Sequence, residues 1–422
     1  MARILISFLG TGAQNAEREY KTAKYKFEGS GTTYESSFVA TAIYEEYEAD
    51  KLFLLGTVHS MWDAVYDYFG KKNGTYHDDV WAEICEHCEK ANSQSSLELP
   101  HKADIEKALG NDSRVVLLHY GLNEKEIEAN SEAILGLAQE IRRGDEIIVD
   151  ITHSFRSLPM YAMNLLIYLR NVKQITISHI CYGMLEMTRE LGYSPVVELK
   201  DLLTVNDWIT GAYSMFEFGN AYKIAELVKN IDKGVGSRLE RFSDIENLNH
   251  LTSLENQCQE LQAIRTNPNL PRIAQMVITP VINEFLDSVQ PQRGDDAKYA
   301  HSTFQYRLAC WHQQKRNYLA AYISLTEAIV SRACETQGLA PENRANRENT
   351  KETWWDIYEL KVFARLYKDV SKVRHSLAHS IEVSVEEPNR CQDATNRLRK
   401  PKNPQEMIKS LNYFINQYTK EL

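Results

Sequence analysis

EIIVDITHSFRSLP, residues 146–159, starts as a short apolar run and turns within a few residues into a polar, small-residue stretch that opens a helix near Leu158. A strand that ends in polar residues and passes straight into a helix is the repeating unit of a parallel sheet covered by helices. Comparable runs stand at Ile4–Leu9, Leu52–Leu55, Val115–Leu118 and Ile175–Ile180. Helix-like stretches separate them at Phe38–Tyr47, Met61–Phe69, Glu124–Ile141 and Leu158–Leu169. The alternation predicts an α/β domain over 1–205, with a hairpin around Tyr25–Ser36 interrupting its first crossover.

After Val205 the strand signals nearly stop. The clearest helical stretches are Trp208–Asn230, Leu239–Ala263, Ala274–Ser288, Tyr318–Thr336 and Trp354–Ser380, so 206–422 is predicted to be an all-α domain. Two domains also suit a chain of 422 residues with 43% hydrophobic content, which exceeds the size at which one core keeps growing. No apolar run reaches the roughly 18 residues of a membrane span, and Ile4–Leu9 reads as a strand rather than a secretory signal. Seven scattered cysteines point to reduced thiols, so the expected location is cytoplasmic. Only Cys85 and Cys88 form a C-x-x-C, on a helix-like segment without the second pair that a structural zinc needs.

The net charge of −10 repels polyanions at long range, so any nucleic acid must meet a local site. One basic concentration exists: between Lys361 and Lys402, ten Lys or Arg face five Asp or Glu. Such runs are commonly solvated faces.

Ligands of parallel sheets gather outside the carboxyl ends of the strands. Here those positions hold Leu9-Gly10-Thr11-Gly12, Gly56-Thr57 with Ser60 and Trp62 behind, Tyr120-Gly121-Leu122-Asn123, and Thr152-His153-Ser154 with Arg156. Glycines let a backbone approach a phosphate, hydroxyls and helix-terminal amides donate to its oxygens, and Arg156 can neutralise it. The expected ligand is anionic and nucleotide-like; each loop taken singly also fits an ordinary strand-to-helix turn. A dinucleotide fingerprint fails at Asn15, and a serine-hydrolase reading fails for want of G-x-S-x-G.

Val362, Leu366, Val370, Val373 and Leu377 form a stripe at helical spacing, and Arg374, His375 and His379 lie off it. Histidine moves protons near neutrality and a guanidinium stabilises phosphoryl charge, which suits cleavage of RNA by its own 2′-hydroxyl without a metal. Residues five apart on a helix diverge by about 140° and about 7.5 Å, so Arg374 and His379 need a helix end or a partner chain to converge. His375 and His379 share a face, which keeps a metal pair open, although no H-E-x-x-H and no third ligand accompany them.

LISFLGTG (5–12), LLGTVHSMWD (54–63), HYGLN (119–123) and DITHSFRSLP (150–159) together resemble the CARF sensor domains of type III CRISPR defence. RHSLAH (374–379) is similar to the R-x4-H pattern of HEPN ribonucleases, and WITGAYSMFEFG (208–219) and NYLAAYISLTEAI (317–329) resemble the helices of CARF-HEPN proteins. The resemblance implies a Rossmann-like sensor domain followed by a helical HEPN nuclease domain, with residues of about 229–300 as an insertion outside the pattern. It implies a homodimer that binds a cyclic oligoadenylate activator, cyclic tetra-adenylate ahead of the hexa-adenylate. It further implies cleavage of single-stranded RNA at a composite site of paired Arg374 and His379, leaving 2′,3′-cyclic phosphates, with no metal or cofactor. Gly10, Thr11 and Gly12 fall on the first sensor motif and Thr152, His153, Ser154 and Arg156 on the second, while His375 fills the polar position after the motif arginine. Two other functions stay open: an adaptor that senses ligand without cutting RNA, and a sensor domain that degrades its own ring. No helix-turn-helix with a basic recognition helix is evident.

Overall fold

The structure is a computed structural model that describes residues 1–110, 112–153, 157–379, 394–401 and 403–422, with backbone alone for 394–396. The chain divides into two compact units, Met1–Leu203 and Thr204–Leu422.

The first unit runs β1 (Arg3–Leu9), β2 (Ala23–Phe27), β3 (Thr33–Ser36), α1 (Val39–Glu46), β4 (Lys51–Gly56), α2 (Trp62–Asn73), α3 (Asp78–Lys90), α4 (Lys102–Leu109) and β5 (Arg114–Leu117). It continues with α5 (Glu124–Gly136), β6 (Glu146–Asp150), α6 (Leu158–Asn171), β7 (Thr176–Gly183), the single turn α7 (Thr188–Leu191) and β8 (Ser194–Glu198). The strands make one eight-stranded sheet in the order β3-β2-β8-β7-β6-β1-β4-β5. Five neighbouring strands, β7-β6-β1-β4-β5, are parallel and run to one edge; β7 with β8 and β2 with β3 are antiparallel. Strand β8 carried no sequence signal, and it is what ties the predicted hairpin to the sheet.

Alternation along β1 builds both faces. Leu5 and Leu9 join Leu52, Leu54, Ile43, Val65 and Ile105 on one side, while Ile4, Ile6 and Phe8 join Phe53, Ile134, Leu165 and Leu169 on the other. Burial on both faces is why these strands read as continuous apolar runs. At the open edge, the Val115 amide donates to the Glu106 carboxylate at 3.0 Å. A cleft of about 1010 Å³ follows this edge, lined by Leu97, Leu99, Val116 and Leu137 among others, away from the β1 and β6 strand ends.

The second unit is entered on α8 (Asp201–Phe218) and continues with α9 (Tyr222–Lys229), α10 (Lys233–Asn247), α11 (Leu251–Arg265), α12 (Arg272–Val289) and α13 (Ala300–Gln314). Then follow α14 (Tyr318–Thr336), α15 (Arg344–Thr353), α16 (Lys361–His379), α17 (Ala394–Arg399) and α18 (Pro404–Thr419). Two stretches read as single helices are broken. Gly219 adopts φ +78° between α8 and α9, where a methyl group would lie 2.5 Å from the Trp311 ring, and Asn249 adopts φ +49° between α10 and α11. One core gathers around Phe242, Phe285 and Trp311, with ring centroids 4.9 and 5.0 Å apart. A second packs α14, α16 and α18 through Leu325, Ile329, Val370, Val373, Phe414 and Tyr418. Between α10 and α13, Glu246 and His312 are buried 3.6 Å apart.

Along α8, Leu203, Trp208 and Met215 are buried, whereas Val205, Ile209, Tyr213 and Phe216 are 42%, 61%, 58% and 37% exposed. At 100° per residue those four fall within an arc of about 80°, a narrow apolar stripe facing solvent.

Candidate functional site

After the β2–β3 hairpin the chain places β4 and β5 on one side of β1, then returns to place β6 on the other. Loops leaving β1 and β6 therefore diverge, and the crevice between them is where such sheets hold ligands. Its floor is a buried polar cluster. Ser7 Oγ donates to Asp150 Oδ2 at 2.5 Å, and the other carboxylate oxygen accepts from the Thr152 amide at 2.9 Å and hydroxyl at 2.5 Å. Thr152 Oγ1 in turn accepts the Gly183 amide at 2.7 Å. Burial pushes the Asp150 carboxyl up, and the Ser7 and Thr152 hydrogen bonds pull it back. Asp150 is thus spent on holding the β6 loop in place.

His153 lies over Gly10: a methyl there would sit 3.5 Å from His153 Cβ and 3.7 Å from Nδ1. Burial pushes its imidazole down, so the ring is neutral at physiological pH, and Nε2 is buried without a partner among the described residues. Beyond Gly10 the loop is exposed through Thr11 and Gly12. Gly12 adopts φ +69°, and a methyl would strike the Tyr20 ring at 2.6 Å. Tyr20 anchors the loop by donating to Asp63 at 2.9 Å.

The loop after β4 clamps the first from behind. Ser60 Oγ donates to the Leu9 carbonyl at 2.8 Å, the Met61 amide to the Gly10 carbonyl at 3.0 Å, and the Trp62 indole to the Thr57 carbonyl at 2.8 Å. Leu9, Thr57 and Trp62, expected to touch ligand, are buried supports of the loop in this chain, at 5%, 6% and 0% exposure. Gly121 and Asn123 belong to a capped turn. Glu126 Oε2 accepts the Gly121 and Leu122 amides at 3.0 and 3.1 Å, and Asn123 caps α5 by accepting the Glu126 amide at 3.1 Å. This reciprocal cap satisfies the donors that an anion would use. Gly10, Thr11, Gly12, Thr152 and His153 are what the crevice brings together; Ser154 and Arg156 lie outside the described residues.

The second candidate site ends α16. Its buried side is Phe363, Leu366, Val370, Val373 and Ser376, so the stripe read from sequence holds at its centre, while Val362 and Leu377 at its ends are half-buried. His375 and His379 are exposed with ring centroids 4.3 Å apart. Arg374 is half-buried, and its Nε is buried without a partner among the described residues. Because α16 stays helical to His379, one chain does not aim Arg374 and His379 at a common atom. Among the described residues no group of three His, Cys, Asp or Glu is arranged to hold a metal. Burial keeps Cys85 and Cys88 protonated on α3, Cys88 pushed up to about 12.

Residues 4–185 match the family described as the CARF domain of the CRISPR system endoribonuclease Csx1. The first unit is thus similar to a CARF domain. Residues 204–292 match a second family, the second domain of the CRISPR-associated protein MJ1674. The MJ1674 protein of Methanocaldococcus jannaschii is 31% identical over 405 residues, which cover 90% of this chain and 62% of the relative. The chain thus spans about three fifths of that relative's length. Enterococcus italicus Csm6 bound to cyclic hexa-2′-fluoro-hexa-dAMP aligns with TM-score 0.36 and 10% identity, over 100% of this chain and 95% of that one.

Within the first unit, sequence reasoning passed over Ser7 and Glu126, and weighed Asp150 only as a strand-end and hydrolase residue, not as the anchor of the β6 loop. A signal for Glu126 was present: Asn123 with a glutamate three residues later is a capping box. Among the described residues no helix is long and apolar enough to cross a membrane.

Proposed function

We propose that this protein is a homodimeric, metal-independent ribonuclease of the CARF-HEPN kind, switched on by a cyclic oligoadenylate, with cyclic tetra-adenylate as the activator. The observation that carries the reading is RHSLAH at the end of α16, with both histidines exposed and the Arg374 Nε without a partner among the described residues. Two chains related by a two-fold axis resolve the divergence of Arg374 from His379, since each can complete the other's site. The solvent-facing stripe of α8 supports such a second copy: it is apolar, uncharged, and close to the three-and-four spacing of a two-helix seam.

In the composite site one imidazole takes the proton of the RNA 2′-hydroxyl, whose oxygen attacks the adjacent phosphorus. The P–O5′ bond breaks, and the departing 5′-oxygen takes a proton from the second imidazole. The products are a 2′,3′-cyclic phosphate and a 5′-hydroxyl, and Arg374 stabilises the extra charge on the phosphoryl oxygens. In the CARF crevice, Gly10, Thr11 and Gly12 offer close backbone approach, and His153 offers a neutral donor or acceptor to the ring. Ser154 and Arg156 belong to the same motif and would supply a hydroxyl and a positive charge.

The test incubates labelled single-stranded RNA with the protein in EDTA, with and without cyclic tetra-adenylate. Cleavage that needs ligand but no metal is expected. His379→Ala should lower it by about 10²- to 10⁴-fold and Arg374→Ala by about 10²- to 10³-fold, both without loss of ligand binding. Full cleavage by both variants would refute the assignment, and ligand binding with inert RNA would make the protein an adaptor.

A further inference from the structure

The basic residues of α16 are arranged, not scattered. Lys361, Arg365, Lys368, Lys372, His375 and His379 recur at spacings of four, three, four, three and four. At 100° per residue all six fall within about 80°, and they extend about 27 Å along the axis. Lys361 is half-buried and the other five are exposed. The helix carries a single acid, Asp369, which lies off this line and pairs with Arg399 at 3.7 Å.

Several exposed helical cations in this chain pair with an acid one turn away, as in Lys71 with Asp67, Lys90 with Glu86, Lys102 with Glu106 and Arg344 with Glu348. Among the described residues, Lys361, Arg365, Lys368 and Lys372 share one acid of their own helix, Asp369, which attracts Lys368 and Lys372 but lies closest to Arg399. In a chain of net charge −10, this line, with four Lys or Arg to one acid, is where a polyanion can approach. At its far end, in the turn that enters α16, Tyr358 is 88% exposed and Trp355 44%. Bare aromatic faces suit unpaired bases, which stack on them, and duplex bases do not present such faces.

We infer that the outward face of α16 is a track for single-stranded RNA, its cations gripping successive phosphates and Tyr358 stacking a base, so that the strand is led to His375 and His379. The inference rests on the ribonuclease reading and names how the substrate reaches that site.

The experiment measures binding of a fluorescent oligoribonucleotide to the full chain carrying His379→Ala, over a series of KCl concentrations. Adding Arg365→Ala, Lys368→Ala and Lys372→Ala together should flatten the slope of log K against log salt by about 2, at about 0.7 per phosphate contact. Adding Tyr358→Ala should weaken binding roughly tenfold and leave the slope unchanged. The triple Lys233→Ala/Arg241→Ala/Lys420→Ala removes the same charge from exposed positions elsewhere and should leave the slope unchanged. An unaltered slope in the α16 triple, an equal change in the control triple, or duplex RNA bound as tightly as single strands would overturn the track. Cleavage by wild-type protein alongside an unaltered slope sinks the track alone; a flattened slope in a protein that never cleaves leaves the track standing without the nuclease.

Discussion

Glu246 and His312 face each other at 3.6 Å, yet burial holds the carboxyl up at about 8 and the imidazole down at about 3, so both are neutral near pH 7. In the unfolded chain they titrate near about 4.3 and about 6.5. Glu246, with its folded value raised, contributes stability that is complete below about 4.3 and lost as pH rises to about 8. His312, with its folded value depressed, contributes stability that is complete above about 6.5 and lost as pH falls to about 3. The two slopes cancel between about pH 4.3 and 6.5, and the Glu246 slope acts alone from there to about 8. Comparing denaturation midpoints, wild type should lose stability relative to Glu246→Gln by about 1.4 kcal/mol per pH unit in that upper window. Parallel curves for the two proteins would mean the carboxyl titrates normally. This pair left no mark in the sequence, because nothing local says that residues 66 positions apart will be sealed together. The same holds for Ser7 and Asp150, joined only once β1 and β6 are in register. The glycines and hydroxyls at the strand ends were legible because their types already state what a turn or a phosphate needs.

At the level of elements, the parallel core and the amphipathic α16 were readable because their periodicities are strong. Breaks were harder: WITGAYSMFEFG carries an apolar pattern through Gly219, and only the nearness of Trp311 shows that the backbone must turn there. Helix α13 was missed for the opposite reason, since two cores draw on it from different sides through Leu308, Trp311 and Ala309, which erases a single apolar face. The stripe on α8 is the element with the most to test. If it seals a dimer, Ile209→Asp places a charge in the seam and should weaken self-association by at least about 30-fold, or ~2 kcal/mol. Sedimentation across a concentration series would show it; unchanged association would move the dimer contact elsewhere.

For the whole molecule, the two units differ in what they present: one ends its strands in small polar loops, and the other carries a line of cations along α16. The sheet has two ends, and the chain treats them differently. One is finished by the β2–β3 hairpin. The other stops at β5, whose outward amide at Val115 is occupied by Glu106. An uncovered strand margin is a template on which a neighbour's backbone can assemble, so this carboxylate acts as a stopper against stacking end to end. Concentrated Glu106→Ala protein should grow turbid on standing while wild type stays clear, with light scattering as the readout.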